Sequence, residues 1–167
     1  MRKRKKCWEQ SLSALAILAA AFVMTGCGGE EKHHNHDHSH HHVHAHHAPH
    51  GGALSMLGDH AFQLELVPDG DSGNLALYVL DGEAENFIRV SITEFEATAI
   101  AGEGQWNLKF EAVASEATGE TVGSSSYFIA SAPEVSKLAQ FDVQIGSIEL
   151  LGNLFENVSI PYPEGKH

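Results

Sequence analysis

The fold class of this chain is decided by the stretch Phe62-Gln63-Leu64-Glu65-Leu66 and, further along, by Leu75-Ala76-Leu77-Tyr78-Val79-Leu80. In the first stretch apolar and polar residues alternate, which is typical of a strand with one buried face. The second is apolar at both parities, which predicts a central strand covered on both faces, with Tyr78 reaching the edge of the core. Pro68-Asp69-Gly70 lies between them, so the chain is expected to turn there.

Similar strand patterns recur along the rest of the chain. They predict strands at Ile88 to Ile92, Trp106 to Phe110, Tyr127 to Ala130, Phe141 to Leu151 and Leu154 to Ile160. Turn residues separate several of them, as at Gly102 to Gly104 and at Gly152-Asn153. This pattern predicts an all-β domain over residues 51–167, an antiparallel immunoglobulin-like β-sandwich. A small barrel is the alternative.

One helix is predicted, over residues 134–140. Ser131 can cap it and Pro133 can occupy its first turn. Val135 and Leu138 would form its apolar face. We expect a two-turn connector between strands.

Residues 1–26 have the pattern of an export signal. Arg2-Lys3-Arg4-Lys5-Lys6 is a basic region, and Leu12 to Met24 is an apolar region too short to span a bilayer comfortably. The small residues Thr25-Gly26 before Cys27 resemble the lipobox of bacterial lipoproteins. The resemblance implies cleavage before Cys27, a diacylglycerol on its sulfur and acylation of its new amino group. Ordinary signal-peptide cleavage and an uncleaved membrane anchor are the alternatives.

The resemblance also implies a location. The mature protein would be a lipoprotein of the bacterial cell envelope, attached to the membrane through Cys27 and facing the periplasm. Gly28 after the cysteine would favour the outer membrane if the cell is Gram-negative.

Removal of residues 1–26 would change the charge of the chain. Five basic and 21 acidic residues follow the signal, a net charge of −16 with neutral histidines. This charge argues against nucleic acid as a partner and concentrates cations near the protein. Of the two cysteines, Cys7 lies in the signal and Cys27 would carry lipid, so neither a disulfide nor a thiolate metal site is expected.

Residues 27–50 form a histidine-rich arm, with eleven imidazoles between Lys32 and Gly51. Imidazole is a good nitrogen donor near neutral pH, and a dense run offers overlapping ligand sets to Zn²⁺, Cu²⁺ or Ni²⁺. The arm is too polar to fold alone. The predicted metal ligands are His33, His34, His36, His38, His40, His41, His42, His44, His46, His47 and His50.

Two histidines, His50 and His60, each have two possible interpretations. His50 precedes Gly51-Gly52, which would let the chain turn sharply, so His50 either anchors metal against the folded domain or simply ends the run. His60 shares the parity of Phe62, which favours a structural histidine at the rim of the core, facing a carbonyl. His60 and Asp59 are also further candidate metal ligands alongside His50.

Several short motifs resemble a known module. Pro49-His50-Gly51-Gly52, Leu57-Gly58-Asp59, Phe62 with Leu64-Glu65-Leu66, and Leu77 to Gly82 are similar to a module of small exported bacterial proteins. A similar module precedes the adaptor portion of some heavy-metal efflux systems. The resemblance covers residues 49–92 and implies a metal transport or efflux component as a partner.

Residue combinations typical of enzymes are missing from the sequence. It contains no Gly-x-Ser-x-Gly elbow, phosphate loop, dinucleotide fingerprint or His-Glu-x-x-His motif. Residues 69–74 alternate oxygen donors as a calcium loop does but lack its later Gly and Glu, so we interpret them as a hairpin turn.

We therefore predict a non-enzymatic envelope lipoprotein that binds transition-metal ions (Zn, Cu or Ni) without an organic cofactor. It would buffer or scavenge these ions, or deliver them to transport or efflux. The alternative is a structural or protein-interaction β-sandwich for which the histidines are a hydrophilic tether.

Overall fold

The computed structural model describes residues 47–166. Within them no helix is both long and apolar enough to cross a membrane. One short 3₁₀ turn occurs, at Val135–Lys137. The strands are β1 (Ala53–Leu57), β2 (Phe62–Asp69), β3 (Asn74–Asp81), β4 (Glu94–Ala101), β5 (Gly104–Ala112), β6 (Tyr127–Ser131), β7 (Phe141–Leu150) and β8 (Asn153–Tyr162).

The eight strands form one hydrogen-bonded sheet in the order β1-β2-β3-β6-β5-β4-β7-β8, and every neighbouring pair is antiparallel. The prediction of an all-β, antiparallel domain is confirmed. The immunoglobulin-like pairing into two separate sheets is not, because the strand order is continuous.

The two ends of this strand order approach each other. The backbone N–H of Met56 in β1 donates to the carbonyl of Lys166 at 2.8 Å, and the N–H of Lys166 donates to Leu54 at 2.7 Å. The Ser55 hydroxyl also donates to the carbonyl of Ser159 in β8 at 3.0 Å. These contacts curve the sheet towards closure, which is closer to the small-barrel alternative.

The inner face of the curved sheet holds the main hydrophobic core. Burial of such side chains is the dominant favourable term in folding, at about 1.5–3 kcal/mol each. Phe62, Leu64 and Leu66 of β2 all face this core, as the alternation predicted. Its largest completely buried side chains are Leu64, Leu66, Leu75, Leu77, Phe110, Phe128, Ile145, Leu150 and Ile160.

The strand predicted at Ile88 to Ile92 is wrong. Val90 makes an isolated bridge to Ser125, and the N–H of Ile88 donates to Val79, but no continuous ladder forms. Ile88 and Ile92 still pack against the core from a loop, so their apolar character served packing rather than strand pairing. Strand β4 follows instead.

The predicted two-turn helix is also wrong. The chain makes a single 3₁₀ turn at Val135–Lys137, and Leu138 is already extended with ψ of 141°. Ser131 belongs to β6 and gives no capping hydrogen bond. Leu138 packs against the core, which the extended backbone permits.

Candidate functional site

Residues 48–52 lie against the outer face of the sheet, which we define as the face of β2 and β3 opposite the main core. Ala48 packs against a small cluster of Leu54, Leu80 and Ala84. The polar side chains of β2 on this face, Gln63 and Glu65, are also completely buried, and the side-chain amide of Gln63 donates to the carbonyl of Gly82 at 2.7 Å. The expectation that these polar side chains face solvent is wrong, because Gly82 binds Gln63 and residues 50–52 bind Glu65.

Glu65 is bound by the segment His50-Gly51-Gly52. Its Oε1 accepts the backbone N–H of His50 at 2.7 Å and that of Gly52 at 3.0 Å. Its Oε2 lies 2.8 Å from the ring Nδ1 of His50. Two backbone N–H groups that converge on one anion form a nest, and the left-handed Gly51 between them, with φ of +72°, allows that convergence. We call residues 50–52 the Glu65 cradle.

The second glycine of the cradle is required for a different reason. A Cβ atom at Gly52 would overlap the carbonyl oxygen of Leu66 and the Cγ2 atom of Val67. The cradle can approach β2 only because this residue has no side chain.

The imidazole of His50 is also fixed by aromatic rings. It stacks on Tyr78 with ring centroids 3.9 Å apart and an interplanar angle of 13°. The ring of Phe87 contacts the His50 imidazole in a tilted arrangement, with the two ring centroids 5.6 Å apart. The His50 side chain remains 36% exposed, and its Nε2 has no hydrogen-bond partner among residues 47–166. Within the described part of the chain, His50 is therefore held against the domain through one ring nitrogen, and the other nitrogen makes no hydrogen bond.

Tyr78 continues the stack to Tyr127, with ring centroids 4.7 Å apart. Burial, then the neighbouring Tyr127 and Glu65, raises the pKa of Tyr78 to about 12. Burial also raises the pKa of Tyr127. Both hydroxyl groups are protonated at neutral pH.

A cleft of about 500 Å³ adjoins these rings. Arg89 on its wall donates to the carbonyls of Thr118 and Gly119, and its Nε lies 3.9 Å from Oε1 of Glu120. The guanidinium is thus occupied within the protein. The cleft is lined by His50, Tyr78, Asn86, Phe87, Arg89, Ser115, Thr118, Glu120, Ser126 and Tyr127.

Glu120 organises the loop on the far side of this cleft. Its carboxylate accepts the backbone N–H of Ser126 at 2.8 Å, the Ser126 hydroxyl at 2.5 Å and the Thr118 hydroxyl at 2.8 Å. Burial acts to raise the pKa of Glu120, but the hydrogen bonds from Ser126 and Thr118, together with Arg89, lower it overall. Glu120 is a structural anion whose acceptors are satisfied.

The structure does not bring His50, Asp59 and His60 together. His50 lies beside Glu65, whereas Asp59 and His60 are exposed in the turn beyond the opposite end of the β1–β2 hairpin. His60 is exposed and has φ of +58°. Among residues 47–166 no group of three or more His, Cys, Asp or Glu side chains could hold a metal ion.

The remaining predicted site residues, from His33 to His46, and the lipidation residue Cys27 lie outside the described residues. His47 is described and exposed. The hairpin-turn interpretation of residues 69–74 agrees with the structure, because the Asp69 carboxylate accepts the backbone N–H groups of Asp71 and Ser72.

Glu65 is the functional residue that sequence reasoning missed. It stands in a strand pattern where a polar residue signals a solvent-facing side chain. Its partners are 13 and 15 positions away along the chain, beyond any local pattern. The pair Gly51-Gly52 was the one local signal that something approaches closely there.

No protein-family model, curated protein or solved structure matches this chain.

Proposed function

We propose that this protein is a lipid-anchored envelope protein that binds transition-metal ions through its histidine run, residues 33–50. It buffers or scavenges Zn²⁺, Cu²⁺ or Ni²⁺, or delivers them to a transport or efflux component. The anchor is Cys27, and the domain faces the periplasm.

The observation that carries the proposal is the state of His50. The last imidazole of the run is fixed by Glu65 at 2.8 Å and by stacking on Tyr78 at 3.9 Å, while Nε2 has no partner in the described part of the chain. Metal-bound histidines commonly donate their second ring nitrogen to a carboxylate in this way. His50 has the environment of a ligand that is oriented before the ion arrives.

The neighbouring chemistry is consistent with nitrogen ligation. His46 and His47 precede His50 closely in sequence and offer further imidazoles for the same ion. The net charge of −16 after the signal raises the local concentration of cations.

Metal titration of the full chain tests the proposal. At pH 7.5 we expect more than one Zn²⁺, Ni²⁺ or Cu²⁺ per chain, with dissociation constants on the order of micromolar or tighter. A variant in which the ten histidines from His33 to His47 are replaced by Asn, the ten-Asn variant, should lose nearly all of this stoichiometry.

The matched control replaces the histidines outside the run, His60 and His167, by Asn. Asn tolerates the left-handed backbone of His60, so the fold should be kept. Unchanged binding in this control is expected. Equal stoichiometry in the wild type and the ten-Asn variant would overturn the proposal.

Proton competition separates imidazole ligation from carboxylate ligation. A ligating imidazole must lose its proton, and the reference value for the side chain is about 6.5, so binding should weaken steeply between about pH 7.5 and 5.5. Carboxylate sites would stay ionised in this window and would prefer Ca²⁺. Effective competition by Ca²⁺ at pH 7.5 would contradict ligation by the histidine run.

A second candidate function, an interaction module, has one observation in its favour. Leu151 and Leu154 at the β7–β8 turn are 63% and 62% exposed. Exposed leucines can contact a partner protein, although single ones are common on protein surfaces. If the chain binds no metal but an envelope protein is cross-linked to a probe placed at Leu154, this second function replaces the first.

A further inference from the structure

Glu65 is an unusual residue for the interior of a sheet. Its side chain is completely buried, and transfer of a carboxylate out of water is costly unless hydrogen bonds compensate. The compensation comes from the cradle, through two backbone N–H groups and one imidazole nitrogen. No Lys or Arg makes an ion pair with Glu65 in the described part of the chain.

This arrangement bears on which nitrogen of His50 carries the proton. An ionised carboxylate only accepts hydrogen bonds, and Oε1 already accepts the N–H groups of His50 and Gly52. If the carboxyl group of Glu65 is ionised, the Nδ1 atom of His50, 2.8 Å from Oε2, is the donor of the third hydrogen bond. In a neutral imidazole the other nitrogen, Nε2, then carries the lone pair.

We infer that Glu65 is a positioning residue that holds His50 in the Nδ1–H tautomer and presents Nε2 as its metal-binding atom. The stack on Tyr78 restricts rotation of the ring, so the hydrogen bond and the stack together fix both the tautomer and the ring plane. The metal part of this inference rests on the proposed function. The assignment of the tautomer is independent of the proposed function.

The His-Gly-Gly motif then has a defined purpose. Gly51 and Gly52 allow the backbone to close around the carboxylate, and His50 contributes a third donor from the same segment. Partners of this kind typically change metal affinity by about 10–100-fold when they are removed. Glu65→Gln keeps the shape of the side chain but replaces an acceptor oxygen by a donor, so it should remove this effect.

The tautomer is measured first, without metal. The ten-Asn variant of the full chain leaves His50, His60 and His167 as the only histidines, and His50→Asn identifies the His50 signals. Long-range ¹H–¹⁵N correlation spectra near pH 8 should show Nδ1 as the protonated nitrogen of His50. Glu65→Gln should shift that equilibrium towards Nε2–H. An Nε2–H tautomer in the chain with Glu65 intact would overturn the inference, and this result needs no substitution at Glu65.

Affinity is measured next in an eight-Asn background that keeps His46 and His47, because these residues are proposed as ligands of the same ion as His50. With Zn²⁺ or Ni²⁺ as the probe, His50→Asn and Glu65→Gln should each weaken the residual site, Glu65→Gln by about 10–100-fold. Glu116→Gln, in an exposed loop, is the control and should change nothing. An unchanged affinity in a folded Glu65→Gln variant would overturn the positioning role. Unchanged binding in His50→Asn would instead contradict the part of the proposed function that assigns His50 as a ligand, and leave the tautomer result standing.

Discussion

Nδ1 of His50 lies 2.8 Å from Oε2 of Glu65, and the side chain of Glu65 is completely buried. This hydrogen bond joins the last imidazole of the histidine run to the second strand of the sheet. The position where a polar run meets a folded domain is therefore a fixed structural element.

His50→Ala should destabilise the domain. Loss of the imidazole removes one of three donors to a buried carboxylate and the stack on Tyr78, and a lost hydrogen bond of this kind costs about 1–3 kcal/mol. Urea unfolding followed by fluorescence measures it. His47→Ala is the matched control, and as an exposed substitution it should stay within about 0.5 kcal/mol of the wild type. Equal stability of the two variants would argue against the cradle.

Gly51→Ala and Gly52→Ala should differ. A Cβ at Gly51 meets nothing within 4 Å, so its cost is the left-handed backbone, about 1–2 kcal/mol. A Cβ at Gly52 overlaps the backbone of Leu66, so the cradle must move away from β2, at a cost of about 3 kcal/mol. Thermal unfolding of both variants gives the order. A larger loss in Gly51→Ala would contradict the close approach at Gly52.

Glu120→Gln should lower the free energy of unfolding at pH 7 by about 1–3 kcal/mol, because its carboxylate accepts charge-assisted hydrogen bonds from Ser126 and Thr118. Glu116→Gln, an exposed glutamate in the same loop, is the control. Chemical unfolding of the three proteins under identical conditions gives the comparison.

The effect of Glu120 should depend on pH with a defined sign. Its pKa in the folded state is below the ordinary value of 4.5, so the unfolded chain takes up the proton first as the pH falls. The contribution of Glu120 is complete above about pH 4.5 and is lost as the pH falls through the lower folded value. The difference in stability between the wild type and Glu120→Gln should shrink over that range. A constant difference down to pH 3 would refute this assignment.

The domain should fold without metal. Its core consists of Leu, Phe, Ile, Val and Ala side chains and contains no imidazole. Circular dichroism of the full chain in excess chelator should retain the β signal and a cooperative thermal transition. A chain that unfolds in chelator and refolds when Zn²⁺ is added would mean that the metal is structural, which contradicts an ion bound as cargo.

The sequence predicted most of the strands correctly because their signal is local. Alternation at Phe62, Leu64 and Leu66 and the apolar run from Leu75 to Leu80 reflect burial against a sheet, which every strand must satisfy wherever its partners lie. The prediction of strands failed where residues pack into the core without pairing in a strand, or pair in a strand with little apolar bulk. Ile88 and Ile92 are partly buried but belong to no strand ladder. Ala97 and Ala99 of β4 pair with β5, but their small side chains give little hydrophobic signal of a strand.

By itself, the sequence determined the all-β class, the main turns and the density of imidazoles that predicts metal binding. Only the tertiary structure decided the strand order, the approach of β1 to the end of the chain and the burial of Glu65. The physical reason is that a local sequence pattern predicts whether a side chain is buried, but it does not predict which distant segment of the chain buries it. Glu65 is buried because His50-Gly51-Gly52 supplies three donors across the outer face, and that contact exists only once β1 has paired with β2.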